Sequence, residues 1–383
     1  MIDTIVLTIP EKSFSILDHN KFNPSTANLF NSDYYRLGSR GYFSCVQNPR
    51  KSELKKGIYK PRLTVTKRMK KGKFEITLRI EFSIPKLLFN NNFEEVEETD
   101  FQSIILILHD KLETMRVSIS DLNLSEANIS AVHFSKNIIL SDYTTPYGIL
   151  NRLSKIDLNQ KIDINKTDYR NEGHCLKFHS NYFEIVFYDK MKDLVKAKIS
   201  EKRAVEEGNL IQLDLFNKKR KPFEVLRMEV RLNTRTKLKK IFKEIKVQND
   251  LSFRSIFIEK LSQKILLYYL SMIENSASLL SINTNNTLDF LSEIKISNPR
   301  IKIRKSLQLL GFKYAIEEMG IRGFREFIKI FGSNDWYRLK KEYSSIKLPF
   351  QKTDRISILK EALLDFKPLK LQKSLNEDLL YHD

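Results

Sequence analysis

The chain has 383 residues, of which 66 are lysine or arginine and 47 are aspartate or glutamate, so its formal net charge is +19. A hydrophobic fraction of 41% excludes an intrinsically disordered protein, and a total of two cysteines excludes a disulfide-bonded scaffold. The excess positive charge favours a polyanionic partner, because neutralising phosphates releases counterions. A soluble lysine-rich protein is the alternative, but the basic residues cluster with aromatic ones, which favours nucleic acid.

The start of the chain and its apolar runs bear on where the protein works. The opening residues, MIDTIVLTIP, lack the basic segment followed by an apolar segment that a signal peptide has. No apolar run approaches the ~20 residues of a membrane span. The sequence therefore predicts a cytoplasmic protein without a membrane partner.

The first region, residues 1–75, has the pattern of basic β-structure. Residues 4–9 are β-branched and apolar, and residues 74–84 alternate between apolar and polar side chains. The lysine-rich segment 51–73 between them is compatible with a hairpin that contacts DNA and equally with a solvated hairpin.

The second region, residues 76–245, combines a helix with further strands. Thr99 is a good N-cap for an amphipathic helix over residues 100–115. Residues 176–190 predict a hairpin that turns at Ser180 and Asn181. Residues 225–233 alternate strictly, with Leu226 on one face and Arg227 on the other.

The third region, residues 246–383, is predominantly helical. Its last part predicts three helices separated by turns at Gly320 and Gly332. This spacing suits a helix-turn-helix with basic side chains on its last helices, and it suits a plain helical bundle equally well.

No familiar nucleotide-binding, hydrolase or zinc-protease motif occurs in the chain. What remains is a set of polar residues on otherwise apolar strands. Alternation places two of them, Glu184 and Tyr188, on the same face of one strand. The full set comprises His133, His179, Glu184, Tyr188 and Glu229.

These residue types suit metal-assisted cleavage of a nucleic-acid strand. Mg²⁺ or Mn²⁺ needs nitrogen or oxygen ligands and would polarise the scissile phosphate. Tyr188 is the candidate nucleophile, because a phosphotyrosine preserves the energy of the broken bond for rejoining. The candidate metal ligands are Glu229, His133, His179 and Glu184.

Basic residues near these strands have candidate roles as well. Lys190 and Lys192 can lower the pKa of the phenol or neutralise phosphate charge. Taken singly, every candidate also fits a structural role, such as a half-buried tyrosine or a cross-strand ion pair. The candidates for contact with DNA phosphates are Arg227, Arg231, Lys219 and Arg220.

Three segments in this order carry a family resemblance: IEFSIPKLLFNNNFEEV, EIVFYDKMKDL and PFEVLRMEVRLN. They are similar to the replication initiators of filamentous phages, the gene II protein or phage replication CRI family, and more distantly to the initiators of rolling-circle plasmids. The ending, LGFKYAIEEMGIRGFREFI and then WYRLKKE, resembles the helical tail of that family. The resemblance covers most of the chain from about residue 75 onwards.

The resemblance implies sequence-specific nicking and later rejoining of the plus strand at a replication origin. The nucleophile of the family carries over to Tyr188 in FYDK. The strand with an acid and arginines carries over to Glu229, Arg227 and Arg231. The strand that bears metal ligands carries over to AVHFSKNI and therefore to His133, where related plasmid initiators tend to have an acidic residue.

The sequence thus predicts an α+β protein with an antiparallel-sheet, relaxase-like nickase core followed by a helical C-terminal region. We expect it to initiate rolling-circle replication in a host cell, with Mg²⁺ or Mn²⁺ as cofactor and single-stranded or hairpin origin DNA as substrate. A host polymerase and a host helicase would be its partners. The alternative is a non-enzymatic DNA-binding protein that binds or regulates an origin, and an RNA-binding protein is further away.

Overall fold

The structure, a computed structural model, describes residues 1–27, 29, 42–50, 52–53, 57–140, 144–156, 158, 168–170, 174–197, 224–248, 250–277, 286–332, 334–344, 346 and 355–370. The fold is mixed α+β, with a large antiparallel sheet and several helices. The class expected from the sequence, α+β with an antiparallel sheet, is therefore confirmed.

Alternation of apolar and polar side chains builds the strands. In chain order they are β1 (Ile2–Pro10), β2 (Ser15–Ile16), β3 (Tyr42–Gln47), β4 (Arg62–Lys70), β5 (Lys73–Ser83), β6 (Val117–Ser118), β7 (Asn128–Leu140), β8 (Asp168–Arg170), β9 (Cys175–His179), β10 (Phe183–Asp189) and β11 (Glu224–Leu232). Within the described part of the chain, nine strands form the main sheet in the order β3-β4-β5-β1-β7-β11-β10-β9-β8. Strands β1, β7, β11 and β10 are therefore consecutive neighbours near its centre.

Several of the helices bury one stripe of apolar residues, as amphipathic helices do. In chain order they are α1 (Ile84–Phe89), α2 (Phe101–Thr114), α3 (Asp121–Ser125), α4 (Pro146–Ser154), α5 (Lys190–Ala197), α6 (Arg235–Glu244), α7 (Phe253–Ile256), α8 (Glu259–Ala277), α9 (Thr287–Ser297), α10 (Ile303–Ile328), α11 (Asp335–Ser344) and α12 (Arg355–Asp365). Helix α2, for example, buries Ile104, Leu108 and Leu112.

The sheet has an apolar face and a polar face. On the apolar face, the ring of Phe183 in β10 lies 5.3 Å from that of Tyr269 in α8, and the ring of Phe82 in β5 lies 6.1 Å from that of Phe253 in α7. Helices therefore cover this face. The polar side chains at alternate strand positions lie on the opposite face.

The predicted boundaries do not separate the three regions into independent units, because strands and helices of neighbouring regions pack together. The boundary after residue 75 lies inside β5, which pairs with β4 on one side and β1 on the other. Helices α8 and α12 belong to the predicted C-terminal region, yet both pack against β7. One hydrophobic core accordingly joins residues from Met1 to Phe366.

Two local predictions from the sequence are confirmed. Helix α2 occupies most of the segment 100–115, although its N-cap is Asp100 and the predicted cap Thr99 lies in a short 3₁₀ turn, Glu98–Asp100, that precedes it. Strands β9 and β10 form the predicted hairpin, in which the Ser180 amide donates to the Phe183 carbonyl at 2.9 Å.

The predicted turn at Gly320 is present as a break within α10. Gly320 has φ of 73° and ψ of 162°, a conformation that side chains with a Cβ rarely adopt. A Cβ at this position would also lie 3.3 Å from the Cα of Lys155, just after α4. The amide of Ile321 donates to the Lys155 carbonyl at 2.9 Å, so this break ties α10 to the end of α4.

Replacing Gly320 by alanine should therefore lower the free energy of unfolding by about 1–3 kcal/mol. Gly311 offers a matched control on the same helix, because a Cβ added there would have no neighbouring atom within 4 Å and its φ is not positive. Gly311→Ala should raise the stability by about 0.5–1 kcal/mol. Urea denaturation of the two variants measures both changes. A Gly320→Ala variant that is more stable than the wild type would contradict the positive-φ conformation at Gly320.

No helix in the described ranges is long and apolar enough to cross a membrane.

Candidate functional site

Four neighbouring strands bring polar side chains to one face of the sheet. His133 in β7 lies directly opposite Arg231 in β11. Glu229 and Arg227 follow at alternate positions of β11, and Tyr188 in β10 lies opposite Arg227. Because directly opposed and alternate residues share a face, all five side chains belong to the polar face.

Asp3 joins this face through an irregularity in β1. Ile2 and Thr4 pair with two consecutive residues of β7, Phe134 and His133, so Asp3 is an extra residue in β1. Such a β-bulge interrupts the alternation of the strand and redirects a side chain. Strict alternation would instead place Asp3 with the apolar residues of β1.

Asp3, His133 and Glu229 form a compact cluster. One potential ligand atom from each residue lies within 4.8 Å of the other two. The Nδ1 atom of His133 is 3.3 Å from Oε1 of Glu229. The Glu229 side chain is 2% exposed, whereas those of His133 and Asp3 are 22% and 16% exposed. The cluster therefore combines one buried carboxylate with two ligands that solvent can reach.

Glu229 is held in its ionised form by its neighbours. Burial opposes the charge, but Arg231 and a hydrogen bond with His133 outweigh it, so the pKa of this carboxyl lies well below its ordinary value. The Nη2 atom of Arg231 is 2.9 Å from Oε2 of Glu229, and its Nη1 atom is 3.3 Å from Oε2 of Glu184. Arg231 thus bridges two carboxylates, and its partial exposure leaves the predicted phosphate contact sterically feasible.

Arg227 is buried, which does not fit a direct contact with DNA phosphates. Its side chain is 2% exposed. The guanidinium donates to the Asn92 carbonyl at 2.7 Å and to the Ser135 hydroxyl at 2.9 Å. Its Nη2 atom is also 2.7 Å from Oδ1 of Asp3. Arg227 therefore orients Asp3 from inside the protein.

Replacing Arg227 by methionine should lower the free energy of unfolding by about 3 kcal/mol, because it breaks a buried ion pair and removes donors from buried acceptors. Arg254→Met is a matched control, since the ion pair of Arg254 with Glu126 spans 3.6 Å between side chains that are 62% and 50% exposed. That change should cost less than about 1 kcal/mol. Equal losses for the two variants in urea denaturation would contradict a structural role for Arg227.

The Tyr188 phenol is electrostatically coupled to this cluster. Burial raises the pKa of Tyr188 well above its ordinary value. The positive charge of Arg227 opposes that effect, and the negative charges of Glu229 and Asp3 add to it. Asp193, outside the cluster, raises the pKa as well, so the charges that act on the phenol are those of Glu229, Asp3, Asp193 and Arg227.

The two lysines that follow Tyr188 do not have the expected effect on it. Lys190 is fully buried, with its Nζ atom 5.8 Å from the centre of the Tyr188 ring and 2.7 Å from Oδ1 of Asn92. Lys192 is exposed, and its Nζ atom lies 2.9 Å from Nε2 of His174. We expected these lysines to lower the pKa of the phenol or to neutralise phosphate charge. Burial raises the pKa and the cation that opposes this is Arg227, so the role toward phosphate is the one that stays a prediction.

Glu184 and His179 lie beside the cluster. They are opposed across β10 and β9, and Oε1 of Glu184 is 2.7 Å from Nζ of Lys177. The group of potential metal ligands that the structure brings together in its described ranges contains neither of them. Of the four predicted ligands, the cluster therefore unites His133 and Glu229. Lys219 and Arg220 lie outside the described residues.

The donor set of the cluster fits a divalent cation. The carboxylates of Asp3 and Glu229 supply the oxygen ligands and negative charge that Mg²⁺ and Mn²⁺ require. An imidazole nitrogen is a ligand typical of transition metals, so the mixed set favours Mn²⁺ over Mg²⁺. Both carboxylates are paired with arginines, and a cation would therefore share them with guanidinium groups.

Comparison of the chain with protein-family models, with curated proteins and with solved structures finds no match. The function is therefore inferred from the residues of the site. Among these, Asp3 is the one that the sequence patterns missed. Its only signal is that it is the one acidic residue in the otherwise apolar or hydroxylated strand IDTIVLTIP.

Proposed function

We propose that the protein is a rolling-circle replication initiator with a relaxase-like core, which nicks and rejoins one strand of origin DNA through a covalent phosphotyrosine. The observation that carries this proposal is the cluster of Asp3, His133 and Glu229 on the face of the sheet that also bears Tyr188. The net charge of +19 supports a DNA substrate. The resemblance to filamentous phage initiators supports the same chemistry.

The protein groups would act as follows. Asp3, His133 and Glu229 would hold a divalent cation, which when bound would polarise the scissile phosphate and offset its charge. The Tyr188 oxygen forms a bond to phosphorus while the bond from phosphorus to the 3′ oxygen breaks. The proton lost by the phenol balances the proton taken up by the 3′ oxygen. The reverse step rejoins the strand, and before that a host polymerase extends the free 3′-hydroxyl behind a host helicase.

The electrostatics of the site support a cation-dependent nucleophile. Glu229 and Asp3 raise the pKa of Tyr188 beyond the effect of burial, so these two carboxylates make the phenol harder to ionise. A divalent cation between them would reverse the sign of this local charge. Tyr188 would then ionise more readily when the cation is present.

The experiment that tests the proposed activity is nicking of a supercoiled plasmid that carries the DNA adjoining the gene. Open circles with covalently attached protein should form with Mn²⁺ or Mg²⁺ and should not form with a chelator. A plasmid without that DNA is the control for sequence specificity. Failure to nick either plasmid with any divalent cation would refute the enzyme.

A non-enzymatic DNA-binding protein is the second candidate, and one observation favours it. Both oxygens of Glu229 are already engaged, Oε1 with His133 and Oε2 with Arg231, and Oδ1 of Asp3 is engaged with Arg227. A protein that kept these ion pairs in place of a cation would bind DNA and leave it intact. Tight binding of the adjoining DNA without nicking would support this candidate.

A further inference from the structure

Two adjoining cavities form a groove beyond the cluster. One has a volume of about 390 Å³ and is lined by residues of β1, β4, β5 and the starts of β7 and α6. The other has a volume of about 730 Å³ and follows α6. Both are lined by Arg235, so they are neighbours on either side of this side chain. Their basic lining residues, which we call the basic groove, are Arg68, Arg79, Arg235, Lys239, Lys243 and Lys246.

The groove is strongly positive. Asp250 is the one carboxylate among its described lining residues, and Glu75, just outside, pairs with Arg68 at 2.6 Å. Arg235 donates to the side chain of Asn128 at 2.8 Å. In the parts of the chain that the structure describes, no ion pair engages the remaining four basic residues. These four are Arg79, Lys239, Lys243 and Lys246, and all are exposed.

The spacing of these charges suits a regular polyanion. Arg235, Lys239 and Lys243 follow each other at four-residue intervals on α6, which places them on one side of the helix and about 6 Å apart along its axis. Lys246 continues the row just after the helix. Phosphates of a nucleic-acid backbone present negative charge at similar, regular intervals.

The end of the groove that β1 and β5 line lies on the same face of the sheet as the cluster, whereas α6 packs against Phe183 on the apolar face. Arg79 lies opposite Thr8 in β1, and Thr4, at an alternate position of β1, lies opposite His133. Ser130, which lines the groove, precedes His133 by three residues of β7, a distance of about 10 Å along a strand. A DNA strand whose scissile phosphate reached the cluster would therefore continue into the groove within a few nucleotides.

The groove lacks a surface on which bases could stack. Phe242 is its one aromatic lining residue among those described, and it is 4% exposed. Proteins that hold unpaired strands stack bases on exposed aromatic rings. A site built from cations without such rings contacts phosphates alone, which fits paired DNA, where the bases are already stacked.

We infer that the basic groove binds the backbone of the duplex that flanks the nicking site. That the ligand is DNA rests on the proposed function. The cluster would hold the strand to be cut, and the groove would hold the paired stem next to it. Origin hairpins would thus be preferred over unpaired DNA of the same length.

The test uses the full chain and two labelled probes of arbitrary sequence, a DNA hairpin with a single-stranded tail and the tail alone. Binding is measured without divalent cations, so nicking plays no part. The groove variant carries Lys239→Gln, Lys243→Gln and Lys246→Gln. The control carries Lys12→Gln, Lys260→Gln and Lys264→Gln, which removes the same charge from exposed positions elsewhere.

The groove variant should lose the preference for the hairpin over the tail by at least tenfold, while the control keeps it. Its plot of log Kd against log salt concentration should become shallower by about 2–3, because each lost phosphate contact removes about 0.9 from the slope. Arg79→Gln alone should lower the slope by about 1.

The outcomes separate this inference from the proposed function. If the wild-type protein binds neither probe with a salt dependence, the proposed function fails. If it binds and nicks DNA but the groove variant keeps the hairpin preference of the control, the inference about the groove fails and the proposed function stands.

Discussion

Replacing Tyr188 by phenylalanine should reduce nicking by at least about 10³-fold and remove the covalent protein–DNA adduct, because removing a nucleophile costs factors of this size or more in enzymes that use one. Phenylalanine keeps the ring that packs in β10 and deletes only the hydroxyl. The Kd for DNA should change by less than about twofold. Affinity depends on contacts between basic side chains and phosphates, and this substitution removes none of them. The measurement is a denaturing gel with a labelled origin oligonucleotide and Mn²⁺.

Tyr182→Phe is the matched control for this prediction. Tyr182 lies in the turn of the same hairpin, just before β10, is 60% exposed and is separate from the cluster. That variant should nick and attach to DNA as the wild type does. An adduct that persists in Tyr188→Phe and disappears in Tyr182→Phe would move the nucleophile to the turn of the hairpin.

Replacing Asp3 by asparagine should lower nicking by about 100-fold or more, because changes even outside the ligand shell of a metal cost about 10–100-fold. Asparagine keeps the size of the side chain and removes the negative charge that a hard cation needs. The Mn²⁺ concentration that gives half-maximal nicking should rise at the same time. A titration of nicking against Mn²⁺ measures both effects.

Glu184→Gln is the control for Asp3→Asn. Glu184 lies on the same polar face and shares Arg231 with Glu229, but it stands outside the cluster. Its loss should change nicking by less than about tenfold, below the range for direct partners of metal ligands, because its ion pairs are with Lys177 and Arg231 and not with the cluster. If Asp3→Asn retains the activity and Mn²⁺ dependence of the wild type while Glu184→Gln loses them, the metal site has been assigned to the wrong carboxylate.

The sequence pattern predicted the parts of the fold that depend on alternation and local turns. The hairpin around Ser180, the face shared by Glu184 and Tyr188, and the break at Gly320 follow from residues that are close in the chain. The pairing of His133 with Arg231 joins residues almost a hundred positions apart. Neither periodicity nor spacing contains that information. The sequence therefore indicated His133 and Glu229 as candidate ligands, but it could not predict that they lie next to each other.

Asp3 and Arg227 show two further limits of prediction from sequence. A β-bulge changes the face of Asp3, and nothing in the run IDTIVLTIP distinguishes a bulged strand from a regular one. Alternation correctly placed Arg227 on the polar face. It predicts the face of a side chain and not its burial, so it could not show that other parts of the protein cover Arg227. The interior position of Arg227 depends on its contact with Asn92, which lies in a distant part of the chain.

The site of covalent attachment tests the central claim most directly. The wild-type protein is incubated with single-stranded origin DNA and Mn²⁺, and the adduct is digested with trypsin and sequenced by mass spectrometry. Cleavage after Lys177 and Lys190 yields the peptide FHSNYFEIVFYDK, which contains both Tyr182 and Tyr188, so fragment ions must locate the nucleotide. We predict a 5′-phosphate linked to the oxygen of Tyr188. A nucleotide on any other residue, or nicked DNA without an adduct, would contradict the mechanism.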